Sequence, residues 1–340
     1  MNTHTPLISI VIVTWNNTAH LSFCLISLTE QTFRDFEVVI VDNGSTDSST
    51  SDLEKRWPGL DLHVERLNEN LGFAAANNLA AHLARGKWLA LLNADAFPAP
   101  DWLEKMFQAV ERHPEFTFFA SRQLQANAPH LLDGAGDAFH ISGLAWRRYL
   151  GFPVHQFGLE SEEVFSPCAA AALYSRQAFI QVGGFDEDFF SYHEDVDLGF
   201  RLRLQGFRCL YVPEAIVRHV GSASVGAQSD FALYHWQRNF TWSFVQNMPS
   251  GLLWEALPAF LMANFIYMVG YTMRGRGKVV LKAKKDALRR LPLALRKRKE
   301  IQKTRKISAI ELSRIMEHGL LQPYLLGYRT RKVQKSLLAE

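Results

Sequence analysis

Leu7–Thr14 reads LISIVIVT, Phe36–Asp42 reads FEVVIVD and Lys87–Asn93 reads KWLALLN. Each is a short apolar run rich in Val, Ile and Leu, the pattern of a strand buried on both faces. Ala19–Gln31, between the first two runs, has helical periodicity. A helix to about Trp57, a short strand near Leu62–Arg66 and a helix over Phe73–Leu83 separate the second from the third. Strands alternating with helices predict a parallel, doubly wound α/β sheet. Such sheets bind ligands at the carboxyl ends of their strands, and Asp42 and the triplet Asn93-Ala94-Asp95 fall there.

Further along, Asp101–Arg112 reads as a helix after the Pro98–Pro100 break, whereas Arg122–Phe165, with scattered Gly, His and Trp, reads as irregular. Order returns at Cys168–Ser175. Then come a helix over Arg176–Val182, a Gly183-Gly184 turn, a helix over Glu194–Gln205 and a strand over Arg208–Pro213.

The composition, 48% hydrophobic and 21% charged over 340 residues, is that of a globular chain forming one large domain or two intimate ones, and excludes general disorder. Three cysteines suggest neither a disulfide framework nor a zinc set, which fits a reducing compartment. Met1–Pro6 is polar, so no signal peptide is expected. The net charge of +3 hides an asymmetry: Met1–Met273 carries 17 Lys and Arg against 29 Asp and Glu, and Arg274–Lys306 carries 15 against 2. The basic segment calls for an anionic partner surface.

Three acidic motifs close predicted elements. In Val41-Asp42-Asn43-Gly44-Ser45-Thr46-Asp47, a carboxylate beside a Gly loop can accept hydrogen bonds from a ribose or base. The same residues equally suit an Asx turn with Asp47 capping a helix. Asn93-Ala94-Asp95 offers one carboxylate, enough for a hard divalent cation that takes its other ligands from substrate phosphates, or ordinary turn chemistry. His193-Glu194-Asp195-Val196-Asp197 opens a helix, where acids suit the dipole. With Phe189, Phe190 and Tyr192 crowding the approach, it can also hold a desolvated carboxylate fit for general-base work. His219 follows the last strand as a lone histidine.

Taken in order, these stretches, with Ser9–Asn16, Asn68–Asn78 (NENLGFAAANN), Gly183–Phe190 and Tyr211–Ser222, resemble the inverting family-2 glycosyltransferases of GT-A fold, particularly bacterial rhamnosyltransferase-like members. The resemblance spans residues 7 to 222. It implies a nucleotide-sugar donor, with Thr14, Asn16, Asp42 and Asn70 lining the nucleotide pocket and Gly72 and Phe73 approaching the diphosphate. It also implies that Asp95 binds Mg2+ or Mn2+, with His219 as a further ligand or phosphate contact, and that Asp195 is the catalytic base with Glu194 beside it. Asn93 replaces the first Asp of the family's DxD triplet, which shifts metal binding toward the diphosphate. The implied donor is dTDP-rhamnose, with UDP-sugars as the alternative, and the implied acceptor is a lipid-linked glycan of a cell-surface polysaccharide. A nucleotidyltransferase would show a Gly-rich basic loop after the first strand, and Thr14–His20 (TWNNTAH) has none. A non-catalytic scaffold that kept the fold is the rival from another class.

The expected architecture is an α/β GT-A domain over residues 1–247, nucleotide-binding at about 7–98 and acceptor-binding at about 99–247, with a helical, basic, membrane-associating tail over 248–340. Leu252–Met273 is 22 residues long and mostly apolar, near the length of a membrane span. A span would put the following basic segment and the catalytic body on opposite sides of the membrane. The expectation is therefore a helix lying on the cytoplasmic face, with Trp254, Phe260, Phe265 and Tyr267 at the lipid boundary and the basic residues on anionic headgroups. Nucleic acid is not expected, because the basic residues alternate with Leu, Ile and Val rather than with stacking aromatics. A homo-oligomer stays open.

Overall fold

The computed structural model describes residues 4–221, 229–319, 321–325 and 330. Its first part alternates β1 (Ile8–Thr14), α1 (Leu21–Thr29), β2 (Phe36–Asp42), α2 (Leu53–Arg56), β3 (Leu62–Arg66), α3 (Gly72–Leu83) and β4 (Trp88–Leu92). These strands pair in parallel in the order β4-β1-β2-β3, in a register that sets Thr14 beside Asp42. Successive side chains serve opposite faces. Ile8, Ile10 and Ile12 enter one core with Leu25 and Trp102, whereas Val11, Val39 and Val41 enter another with Ala74 and Ala80. Both faces are covered, which is why the runs are apolar throughout.

The chain continues through β5 (Ala96–Pro98), α4 (Trp102–Arg112), β6 (Phe118–Gln125), β7 (Ala128–Ala135), β8 (Asp137–Phe139), β9 (Ala145–Arg147), β10 (Glu162–Val164), β11 (Ala171–Ser175), α5 (Arg176–Gln181), α6 (Glu194–Leu204) and β12 (Cys209–His219). The sheet extends past β4 through β11, β6, β12 and β10, with β5 on β12 and β7 on β6. Only the β6–β12 pair is parallel here. The stretch Arg122–Phe165 is thus strand-rich rather than irregular. Its strands are short and their register is broken at Gln123–Gln125, so no period of two survives. β12 also outruns the expected Arg208–Pro213: Pro213 sits at an irregularity between Val212 and Ile216, after which pairing resumes to His219.

The chain goes on through α7 (Asp230–Asn247), α8 (Ser250–Met273), α9 (Gly277–Arg289), α10 (Leu291–Thr304) and α11 (Ala309–Arg314). The basic segment is no detached tail. Trp242 Nε1 on α7 donates to the Ala287 carbonyl on α9 (3.1 Å), and Lys284 Nζ donates to the Gln237 carbonyl (2.7 Å). On α10, Lys297 bridges Asp186 and Asp188 at 2.5 Å each. Along α8, Leu252, Ala256, Phe260 and Ala263 form a buried stripe, while Trp254, Phe265 and Met273 are 70%, 56% and 83% exposed. The expectation for Phe260 fails, because it stacks on Phe244 at 4.1 Å inside the core. Tyr267 is half-buried, edge-on to Trp236 at 4.9 Å.

Candidate active site

At the carboxyl ends of β1, β2 and β4 lie two adjoining cavities that share Phe73 and Ser191. One, of about 520 Å³, is lined by Thr14, Trp15, Asn43, Asn70, Gly72 and Phe190 among others. The other, of about 410 Å³, is lined by Asn93, Asp95, His193, Glu194, Asp195 and His219 together with parts of β8 and β9.

The wall of the first cavity is a closed hydrogen-bond network. Asn43 Nδ2 donates to Asn70 Oδ1 (3.0 Å) and to the Gly72 carbonyl (3.2 Å), and Asn43 Oδ1 accepts from the Leu71 amide (2.8 Å). Gly72 has φ +87°, and a β-carbon there would lie 2.6 Å from the Phe190 ring, so both backbone and space demand glycine. This close turn opens α3, whose first residues, Gly72 and Phe73, line the cavity. Thr14 Oγ1 is buried without a partner. Asp42 and Asn16 do not line the cavity. Asp42 accepts from the Ser45 amide (2.9 Å) and the Thr50 hydroxyl, and Asn16 Oδ1 accepts from the Thr46 amide (2.8 Å). Both residues thus brace the loop around Gly44, while Asn43 lines the cavity. Asp47 makes an Asx turn to the Ser49 amide (3.0 Å) rather than capping α2.

In the second cavity, pairing of β5 with β12 sets His219 opposite Ala96, and so beside Asp95. His219 Nε2 lies 3.4 Å from Asp95 Oδ1 and 3.5 Å from Asn93 Nδ2. Its Nδ1 meets Asp133 Oδ2 at 2.8 Å. Burial disfavours the charged imidazole, yet the hydrogen bonds of Asp133 and Asp95 outweigh it and raise the His219 pKa. Asp95, opposed by the same burial, is held below the usual carboxylate range by His219. Two ligands about 2.1 Å from one ion at near-right angles stand about 3 Å apart, so Asp95 and His219 are spaced to share a divalent cation. Asp133 has the position of the carboxylate that orients a ligating histidine. Among the described residues no three His, Cys, Asp or Glu side chains form a metal set by themselves. Ser222 lies outside the described residues.

The segment before α6 is strained: Phe190, Tyr192 and His193 have φ of 65°, 67° and 72°. Two residues of α7 hold it there. Asn239 Nδ2 donates to the Ser191 (3.0 Å) and Tyr192 (2.6 Å) carbonyls, and Arg238 to the Phe189 carbonyl (2.8 Å). The carboxylates that follow are sorted by the helix. Asp197 is buried against Arg201 (2.7 Å) and Asn247 (2.7 Å), whereas Glu194 and Asp195 line the cavity. Asp195 Oδ1 accepts from the Val196 amide (2.8 Å) and Oδ2 from the Ala169 amide (3.3 Å), but burial outweighs these bonds and raises its pKa. Glu194 Oε2 has no partner, and burial followed by the charge of Asp195 drives its pKa well up. Both nitrogens of His193 are unpaired too, and burial lowers its pKa to about 4. A carboxylate of raised pKa beside a cation-spaced pair can take a proton from a hydroxyl while the opposite side receives an anion.

The fold thus brings Asp95, Asp195, Glu194, Asn93 and His219 together, with Thr14, Asn70, Gly72 and Phe73 next door. Asp133, Asp137, Arg147, Trp146, Arg238 and Asn239, which bear on the same cavities, sit in no sequence motif. The one signal available was Asp133-Gly134-Ala135-Gly136-Asp137, two acids bracketing small residues.

Residues 9–183 match the family model described as glycosyl transferase family 2. The N-acetylglucosaminyl-diphospho-decaprenol L-rhamnosyltransferase of Mycobacterium tuberculosis is 31% identical over 281 residues, 74% of this chain and 88% of that protein. The O-antigen biosynthesis protein RfbC of Myxococcus xanthus is 31% identical over 65% of this chain and 18% of that protein. Among solved structures, GalNAc-T7 with UDP, GalNAc and Mn2+ superposes with a TM-score of 0.61 at 18% identity, covering 76% of this chain and 50% of that one. S. aureus TarS 1-349 in complex with UDP gives 0.53 at 21% identity, covering 75% and 70%. The sheet order, the cavity at its strand ends and these likenesses agree: the chain belongs to glycosyl transferase family 2 and is a glycosyltransferase of GT-A fold.

Proposed function

We propose that this enzyme transfers L-rhamnose from dTDP-rhamnose, with inversion, to a hydroxyl of a lipid-linked N-acetylglucosaminyl diphosphate in cell-surface polysaccharide synthesis. Its support is the rhamnosyltransferase that resembles it over most of both chains. A UDP-sugar donor is the second reading, favoured by the UDP in the related structures. One observation carries the mechanism: Asp95 and Asp195, far apart along the chain, line a single cavity next to the Thr14–Asn70 cavity.

Asp195 removes the proton of the acceptor hydroxyl as that oxygen attacks the anomeric carbon from the face opposite the diphosphate. The anomeric carbon–oxygen bond to the diphosphate breaks, the nucleoside diphosphate leaves and the configuration inverts. The amides that open α3 favour the phosphates. Asp95 and His219 would hold Mg2+ or Mn2+, which supplies positive charge for the departing diphosphate. Glu194, whose pKa burial and then the charge of Asp195 raise, keeps its proton beside the ionised Asp195.

Asp195→Asn should leave dTDP-rhamnose binding intact and lower turnover by about 10²–10⁴; near-normal turnover removes Asp195 from the mechanism. Thermal shift against dTDP-rhamnose and UDP-sugars, with and without Mn2+, identifies the donor, since a ligand at 100 times its Kd stabilises by about 2.7 kcal/mol.

The enzyme works on the cytoplasmic membrane face as a peripheral protein. α8 alone among the described helices is long and apolar enough to cross a membrane, yet one stripe of it is packed in the protein. Its exposed Trp254, Phe265 and Met273 and the exposed Lys278, Lys282, Lys285 and Arg289 of α9 suit an interface of acyl chains and anionic headgroups. Flotation with anionic vesicles should fail for the triple variant Trp254→Ser, Phe265→Ser, Met273→Ser; unchanged flotation rejects the surface.

A further inference from the structure

Opposite the α6 wall, the second cavity is closed by the β8–β9 hairpin, which contributes Asp137, Trp146 and Arg147. Asp137 is 5% exposed, and its Oδ1 is shut from solvent with no hydrogen-bond partner. A buried carboxylate is ordinarily paired, and the hairpin carries a cation directly across, since Asp137 registers with Arg147. That guanidinium, however, is engaged by Asp133 at 2.5 Å. The backbone at Asp137 is fixed by pairing with Phe165 and Ser166. Its amide donates to the Ser166 carbonyl (2.7 Å) and its carbonyl accepts from the Phe165 amide (3.2 Å). Burial, then the charge of Asp195, pushes its pKa up to about 8, so the group can present a hydroxyl as well as an oxygen acceptor near neutrality. On the partner strand Trp146, which registers with Ala138, is half-buried and lines the same cavity. An aromatic ring and an unpaired carboxyl in one cavity are the groups that a pyranose meets with its C–H face and a hydroxyl.

We propose that Asp137 and Trp146 select the acceptor: Trp146 carries the acceptor pyranose, and Asp137 hydrogen-bonds a hydroxyl next to the reacting one, presenting the latter to Asp195. The proposal rests on the glycosyl-transfer reading above and names the residues that read the acceptor sugar. Asp137 would be a specificity residue in contact with substrate, with no role toward the donor.

The test measures two rates in the full-length enzyme: transfer from dTDP-rhamnose to an N-acetylglucosaminyl-diphospho-lipid, and hydrolysis of dTDP-rhamnose by water without acceptor. Asp137→Ala should lower kcat/KM for the acceptor several-fold to about tenfold, the worth of one hydrogen bond between neutral groups, and leave hydrolysis within about twofold. Trp146→Ala should raise KM for the acceptor and likewise spare hydrolysis. An acceptor analogue lacking a hydroxyl adjacent to the reacting one should be a poor substrate for the wild type, and Asp137→Ala should no longer distinguish it from the full acceptor. Equal loss of both rates in Asp137→Ala, or unchanged transfer in both variants, overturns the proposal. Asp195→Asn separates the underlying reading, because loss of the base lowers transfer and hydrolysis alike whatever Asp137 does.

Discussion

The two halves of the active cleft differ in how their polar atoms are spent. On the β1–β2 side, Asp42, Asn43, Asn16, Asp47 and Asn70 satisfy one another or nearby amides, and Thr14 Oγ1 is the orphan among the lining side chains described. On the α6 and β8–β9 side, His193, Glu194 and Asp137 all hold buried atoms without partners. Leaving a buried polar atom unpaired costs about 1–3 kcal/mol, so the second wall is unstable by itself and is held by elements behind it, Arg238 and Asn239 above all. The first wall is a finished hydrogen-bond network, which suits the constant nucleotide of the proposed donor. The second keeps free the hydrogen-bonding capacity that the reacting sugars consume.

The strongest way to break this contrast is Asp195→Asn, with its loss of about 10²–10⁴ in turnover. On the unfinished wall that loss should come without lower stability, and a clear fall in Tm alongside activity would make Asp195 a structural residue. In the wild type, because Asp195 must be ionised to act and its pKa is raised, first by burial, the acid limb of kcat should lie above the ordinary Asp range near 3.9. Glu194 shares that titration, so the limb reports the pair. Next in size, Asp133→Asn should cost roughly ten- to a hundredfold in Mn2+-supported turnover, the usual effect of losing the carboxylate behind a ligating histidine. Partial recovery at high Mn2+ is expected, and a loss independent of metal concentration would detach Asp133 from that role.

The finished wall was the legible one. Its strands are local, continuous and apolar, and each motif falls at the end of a recognisable run, so that Thr14, Asn70 and Gly72, singled out from spacing and resemblance, all line its cavity. What it hid was direction: Asp42 and Asn43 are neighbours at the end of one strand, and only the fold shows that Asp42 turns to Ser45 and Thr50 while Asn43 faces the cavity. The β8–β9 hairpin and β7 were illegible for another reason. Strands of three residues, as β8 and β9 are, have too few positions to show alternation, and the longer β7 loses its period of two where its register with β6 breaks. Likewise α8 carried an apolar pattern that fits a membrane span and a packed helix equally, and the buried stripe at Phe260 became visible only with α7 in place.

A smaller effect tests the finished wall by itself. Asn43→Ala strips partners from Asn70, Leu71 and Gly72 together and should lower stability by about 1–3 kcal/mol in urea unfolding, with weaker dTDP binding as a consequence. An unchanged midpoint would mean that the loop network is ornamental and that the two walls do not differ in kind.

The smallest effect, of order 1 kcal/mol, is also the one whose sign is opposite. Glu194 has its pKa raised in the folded protein, by burial first and then by Asp195, so folding favours its protonated form. The stability it contributes is complete below the unfolded value near 4.3 and is lost as pH rises through the folded one. Glu194→Gln has nearly the same shape and titrates in neither state. Near pH 4 the variant and wild type should therefore melt alike, and toward neutrality the variant should become the more stable of the two. Parallel melting curves across that range would show that Glu194 is ionised at no cost, which requires a partner that the unpaired Oε2 does not have. A substitution that stabilises the catalytic wall as pH rises, beside one that weakens the nucleotide wall, is what a cleft with one finished and one unfinished side must give.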